Sequence, residues 1–284
     1  MYFPQKIDVK KAKYALPSIF TSASLLFAFL AIISAFHGGA ADNAKEASVH
    51  FTACAGYMML SAFSDAFDGR IARLTNTQTA FGAALDSLAD VVAFGATPAL
   101  VMYFWILKDL GLFGAIIAFG YLLAVALRLA KFDTQPPIKD VTEDMAIERR
   151  LYFYGMPCPA GAVAISGLIW LGEGTIGRGD EIGSSIILIL TVFTCVYVAF
   201  AMVSNIKFRS YKDSDGQGNT SKLYWLGLTG IILMLFTMPE KLLYIIIMGY
   251  ALSGPISTYN HYKKTKNDDL NGPSDVDNKE VIDG

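Results

Sequence analysis

The chain has 284 residues, 54% of them hydrophobic and only 17% charged, where a soluble domain usually carries about 25% charged residues. Its formal net charge of −2 excludes nucleic acid as the main partner, because phosphate binding needs a basic face. Uncharged runs, together with a mean hydropathy of +0.42, exclude a single soluble globule; their unbroken apolar character excludes a membrane β-barrel, whose strands alternate.

Eight such runs follow one another along the chain: Ala15–Phe36, Ala47–Ser64, Val91–Leu107, Leu110–Leu127, Leu151–Gly172, Ile182–Ile206, Leu223–Pro239 and Leu242–Asn260. A helix crossing a bilayer needs roughly 17–25 mostly apolar residues. The pattern predicts an all-α polytopic membrane protein, a bundle of about eight transmembrane helices forming one domain over residues 1–260. The first run is too long for a signal-peptide core and is expected to be retained. Trp105, Trp170, Trp225 and Tyr103 fall near predicted span ends, where interfacial anchors sit. Gly111, Gly114 and Ala118 would let a second helix approach closely, which suits a homodimer.

The connection Lys131–Arg150 is basic and amphipathic, so we expect it to lie at the cytoplasmic interface. Residues 261–284 hold four Lys and six acidic residues with few large apolar ones, too little to fold alone, and are expected to be a disordered tail. Cys54, Cys158 and Cys195 are odd in number and lie inside apolar runs, so no disulfide framework is implied. His37, His50 and His261 show no ligand spacing.

Lys and Arg fall unequally on alternate connections, and that bias sets orientation. Of the 23 basic residues, only Lys45, Lys108, Arg178 and Lys241 belong to one side. All others, from Lys6 to the tail, belong to the opposite side, which is therefore cytoplasmic. Both termini are expected there, in a multi-pass protein of a prokaryotic-type inner membrane.

The chemistry-bearing stretch joins the second and third spans. Asp65 and Asp68 are three apart at the cytoplasmic end of span two, and Asp86 and Asp90 are four apart at the start of span three. On a helix, residues at these spacings share a face. Two antiparallel helices can therefore aim both acid pairs at one point. Converging carboxylates repel unless cations neutralise them, and they suit hard ions such as Mg²⁺ and Mn²⁺. Two ions about 3.5–4 Å apart form a clamp for phosphoryl chemistry. Gly69, Ala72 and Gly82 leave room for a flat or bulky group near the backbone. Arg73 offers a fixed positive fork for phosphate or carboxylate.

The spaced residues Asp65-x2-Asp68-Gly69-x2-Ala72-Arg73-x8-Gly82-x3-Asp86-x3-Asp90 resemble the signature of the CDP-alcohol phosphatidyltransferase family at every fixed position. Further segments resemble its phosphatidylserine synthase branch: Asp86–Asp90 as Asp-Ser-Leu-Ala-Asp, Phe94-Gly95, Pro98-Ala99, Arg128–Phe132, Tyr154–Ala160, and Met202–Ser204 followed by Phe208 and Lys212. Lys131 stands where that branch commonly has a second Arg, and Ser18 follows Pro17 where Asn is usual. The resemblance implies a membrane enzyme using two divalent cations, Mg²⁺ or Mn²⁺, to move a phosphatidyl group from CDP-diacylglycerol to L-serine, and it implies a homodimer.

On that reading Asp65, Asp68, Asp86 and Asp90 hold the metals. Asp90 also takes the proton of the serine hydroxyl, because a free alcohol needs a base. Gly69, Ala72, Arg73 and Gly82 line the CDP-lipid site. Arg128, Lys131 and Lys212 are candidates for the acceptor carboxylate or a phosphate, ahead of Arg149 and Arg150. Other acceptors stay open: glycerol 3-phosphate, inositol phosphate or choline. A cation transporter would explain intramembrane acids, but not Arg73 or the spaced glycines.

Overall fold

The computed structural model describes residues 9–75, 79–134, 152–175, 181–204, 206–209, 244–255 and 258. Helices α1 (Val9–Ala40) and α2 (Ala44–Thr75) are joined by a tight turn. A third helical stretch follows in three pieces: α3 (Ala80–Asp90), a π-helical turn Val91–Ala96, and α4 (Thr97–Trp105). A 3₁₀ turn, Leu107–Leu110, leads into α5 (Leu112–Asp133). The strand β1 (Tyr152–Tyr154), α6 (Cys158–Thr175), α7 (Glu181–Val203) and the strand β2 (Lys207–Arg209) come next. The last described helix is α8 (Tyr244–Pro255).

Segments Ser18–Ala40, Phe81–Trp105, Leu112–Asp133 and Ile182–Val203 are long and apolar enough to cross a membrane. The expected second span lies within α2, which has the length but interleaves His50, Thr52, Ser61 and Ser64 among its apolar residues. Two further runs give shorter apolar helices, Cys158–Glu173 and Tyr244–Pro255. The run 151–172 is not helical throughout. Its first residues form β1 and a turn, because Pro157 and Pro159 restrict the helical conformation before them and lack an N–H to extend the ladder backward. The run 223–239, the connection 135–150, Trp225 and the tail 261–284 lie outside the described residues.

The α1–α2 hairpin is held by small side chains and short polar contacts. Ala28, Ala31 and Ala35 are fully buried along one face of α1, and side chains this small let two helix backbones approach closely. The hydroxyls of Ser24 and Ser61 lie 2.9 Å apart, Cys54 Sγ donates to the Ala31 carbonyl, and Ser34 Oγ donates to the His50 carbonyl. These pairs run in opposite directions along the two helices, so the hairpin is antiparallel. It packs through α2 on α6 and through α1 on α4, while α5 packs on α7.

Outward faces are apolar. Ile116, Phe119 and Leu123 of α5 and Ile189, Phe193 and Val196 of α7 are 44–68% exposed. In water such stripes would be a liability; in hydrocarbon they cost nothing. By contrast Trp105 is 2% exposed and its indole N–H donates to Glu173 Oε1 at 2.6 Å. It is a core residue stacked over Gly172, where a Cβ would approach the indole ring to 2.7 Å, and not the interfacial anchor its position suggested. Trp170 donates to the Thr52 carbonyl.

Gly114 also differs from expectation. A Cβ there would lie 1.8 Å from the Leu107 carbonyl oxygen, so its missing side chain is used within the chain, against the 3₁₀ turn. Ala118 is likewise buried. The three cysteines are free and buried.

Candidate active site

Two helices bring the acids together. Asp65 lies on α2, and Asp86 and Asp90 lie one turn apart on α3. One carboxylate oxygen from each falls within 4.8 Å of the other two, and all three side chains are partly buried. Oδ1 of Asp86 is shielded from solvent. The backbone of α2 continues through Asp68, Gly69, Ala72 and Arg73, whose side chains lie outside the described set.

The start of α3 is fixed by a cap. Thr79 has extended backbone and its Oγ1 accepts from the Gly82 N–H at 3.0 Å, satisfying one of the donors a helix leaves unpaired at its beginning. Gly82 is thus the third residue of the first turn, and a Cβ there would stand 3.0 Å from that same oxygen. The cap fixes where α3 begins, and hence where Asp86 and Asp90 point.

Immediately after Asp90 the helix widens into the π-helical turn, in which Thr97 N–H bonds back to Val92 O. Widening of this kind occurs often at functional sites. Here it buries Ala93, Phe94 and Gly95. The absent side chain of Gly95 admits α5, with Leu122 and Val125 at 3.0 and 3.2 Å from a hypothetical Cβ. The Phe94-Gly95 pair therefore serves packing behind the acids.

The C-terminal end of α5 lies against α3. Ser87, between Asp86 and Asp90, donates to Asp133 Oδ2 at 3.0 Å, tying α3 to the last turn of α5. Arg128 is partly buried; its Nη1 donates to the Met202 carbonyl at 3.3 Å, and it contacts Cys158 at the start of α6. Lys131 lies one turn beyond Arg128 and is exposed. Lys212, Arg149 and Arg150 lie outside the described residues. A cleft of about 310 Å³ lined by Gly39, Asp42, Trp105, Lys108 and Asp109 opens at the opposite end of the bundle, beside the α1–α2 turn.

Three carboxylates and no softer ligand make a hard-oxygen donor set, which fits Mg²⁺ or Mn²⁺ better than zinc or copper. Repulsion among the acids gives the same answer, since an ion between them removes it. The family model for CDP-alcohol phosphatidyltransferases matches residues 14–197. The chain belongs to that family.

Members of the CDP-alcohol phosphatidyltransferase family generally use divalent metals, in keeping with the acidic cluster. Among relatives, the CDP-diacylglycerol–serine O-phosphatidyltransferase of Helicobacter pylori is 32% identical over 202 residues, covering 70% of this chain and 73% of that protein. The protein of the same name from Mycobacterium tuberculosis is 42% identical over 118 residues, 40% of each chain. That from Methanocaldococcus jannaschii is 36% identical over 152 residues, 54% of this chain and 61% of the relative.

The sequence singled out the three acids that meet, and Arg128 on α5. It did not single out Asp133, and it met Gly155 only within the segment Tyr154–Ala160, without a role of its own. The first is tied to Ser87 across 46 positions, a separation that leaves no local signal. The second has φ +75°, a conformation that a glycine permits but a resemblance of segments does not reveal.

Proposed function

We propose that the chain is an integral-membrane transferase that moves the phosphatidyl group of CDP-diacylglycerol to L-serine, giving phosphatidylserine and CMP. The convergence of Asp65, Asp86 and Asp90 from two helices within 4.8 Å carries this reading. The names of the relatives supply donor and acceptor.

Asp65, Asp68, Asp86 and Asp90 would hold two divalent cations, Mg²⁺ or Mn²⁺. Bound there, the ions neutralise the diphosphate and stabilise charge as it moves to the leaving group. Asp90, the last residue of α3, accepts the proton of the serine hydroxyl. The hydroxyl oxygen attacks the phosphorus that carries diacylglycerol. The anhydride P–O bond breaks as the new ester forms, and its electron pair leaves with CMP. Positioning and electrostatics carry such a transfer, so one displacement suffices and no phosphatidyl-enzyme is formed. Gly69, Ala72, Arg73 and Gly82 face the CDP-lipid, with Gly82 serving the α3 cap as well. Arg128, Lys131 and Lys212 offer cations to the serine carboxylate.

Water-soluble head groups and two acyl chains must reach one site, which suits a carboxylate cup at headgroup depth. The charge bias favours a cytoplasmic position for that cup and both termini, in an inner membrane crossed about eight times, with residues 1–260 as one domain. A homodimer is the expected assembly. Gly114 and Ala118 are used within the chain, so an interface would rest on other residues.

The test is CMP release by the purified protein with CDP-diacylglycerol and Mn²⁺ or Mg²⁺, each candidate alcohol added separately. Serine-dependent release with phosphatidylserine as the lipid product is expected. Release with glycerol 3-phosphate, inositol phosphate or choline instead would keep the chemistry and overturn the acceptor. No release with any alcohol, from folded metal-bound protein, would overturn the transferase.

A further inference from the structure

We infer that Gly155 is a positioning residue that sets the guanidinium of Arg128 to receive a substrate oxyanion, an inference that rests on the transferase reading above. The last carbonyls of a helix have no partner within it. At the end of α7, Ala201 O accepts the Met156 N–H at 3.0 Å and Ile206 O, just beyond, accepts the Gly155 N–H at 2.9 Å. Tyr154 pairs with Lys207 in the β1–β2 ribbon. The stretch 154–156 is thereby strapped across the end of α7. Into the same corner Arg128 reaches from α5, its Nη1 donating to Met202 O. A cation suits this place, because a helix C-terminus carries partial negative charge.

Gly155 occupies the point where strap and arginine meet. Its φ of +75° is a conformation that residues with a side chain rarely adopt. A Cβ would fall 2.5 Å from Met202 O and 2.6 Å from Arg128 Nη1, between donor and acceptor of the hydrogen bond that ties the guanidinium to the end of α7. Any side chain here must push the arginine away from Met202. Arg128 lies on the last turns of α5, which Ser87, between Asp86 and Asp90, ties to α3 through Asp133, so the displaced group belongs to the end of the bundle that carries the acids. A guanidinium carries five N–H donors in a planar fork, a geometry matched to carboxylate or phosphate even when some of them are engaged by the protein. The oxyanion is either the acceptor carboxylate or a phosphate of the CDP-lipid, and kinetics separates the two.

The experiment uses the full chain in detergent, measuring CMP release with serine varied at saturating CDP-diacylglycerol and the reverse. Gly155→Ala, Arg128→Gln and the double variant are compared with the unaltered protein. We expect each single change to raise one KM by about tenfold or more, the size of one charge-assisted hydrogen bond, with the other KM within about twofold. A rise for serine assigns the acceptor carboxylate; a rise for CDP-diacylglycerol assigns the lipid phosphate. The double variant should be no worse than Arg128→Gln, since both act through one interaction. Additive losses, or lower kcat with both KM values unmoved, would overturn the inference. If Gly155→Ala does not accumulate folded, Arg128→Gln with the strap intact decides by the same KM criterion. An unaltered protein without CMP release would instead sink the transferase reading, and this inference with it.

Discussion

Replacing Asp86 by Asn should make the metal-free protein more stable and remove most of the stabilisation that metal gives it. Oxygens of Asp65, Asp86 and Asp90 lie within 4.8 Å of one another. Two unit charges at that distance repel by about 3.5 kcal/mol at an effective dielectric of 20, and by about 0.9 kcal/mol in water. The groups are partly buried, so each pair falls between these values, and Asp86→Asn removes two of the three pairs. A gain of about 2–4 kcal/mol in EDTA follows, discounted for any proton the cluster already holds. Metal closes most of that gap. At a hundredfold excess over Kd an ion stabilises the folded state by about 2.7 kcal/mol, and the variant, short of one ligand, forfeits most of that. The assay is thermal unfolding in detergent, with EDTA against saturating Mn²⁺. At about 2–4 °C per kcal/mol, the variant should melt several degrees above the unaltered protein in EDTA and respond little to Mn²⁺. A variant that melts lower in EDTA and gains as much from Mn²⁺ would refute both the repulsion and the ligand role.

Asp90→Asn should cut CMP release by about 10²–10⁴-fold, the worth of a positioned base, while CDP-lipid binding, followed by its protection against unfolding, is partly kept. Thr79→Ala removes the cap of α3 and should cost about 1 kcal/mol of stability; because α3 carries Asp86 and Asp90, Mn²⁺ affinity measured by titration should fall with it. Gly114→Ala puts a methyl against the Leu107 carbonyl and should cost about 1–3 kcal/mol by overpacking. Gly120→Ala on the same helix meets nothing within 4 Å and should be neutral or slightly stabilising; the two melting temperatures, compared directly, check the contrast.

What could be read from sequence was what depends on local periodicity. Asp86 and Asp90 share a face because they are four apart on a helix, and their meeting with Asp65 needed only a short reversal between two helices. The apolar runs were legible for the same reason, as length and hydropathy are properties of one segment. Pairings between distant segments were not. Trp105 near a span end fits a statistical preference for the interface, yet the carboxylate of Glu173 and the space over Gly172 give its indole a better place inside. Gly114 suited a helix of another chain as well as its own 3₁₀ turn, and no pattern in the sequence separates the two. The start of α6 is delayed to Cys158 by two prolines that the hydropathy of 151–172 hides.

The π-helical turn between Asp90 and Thr97 has a consequence for chain length. Each such turn holds one residue more than an α-helical turn, so it takes up an insertion without rotating what lies on either side. Removing one residue from 91–96 would let the segment close into continuous α-helix, with the acids and the Met102–Trp105 face keeping their relative directions. Removing one residue between Asp86 and Asp90 has no such reserve and would swing one acid by about 100° from the other. Length is thus adjustable on one side of Asp90 and fixed on the other, although both sides belong to the same apparent span.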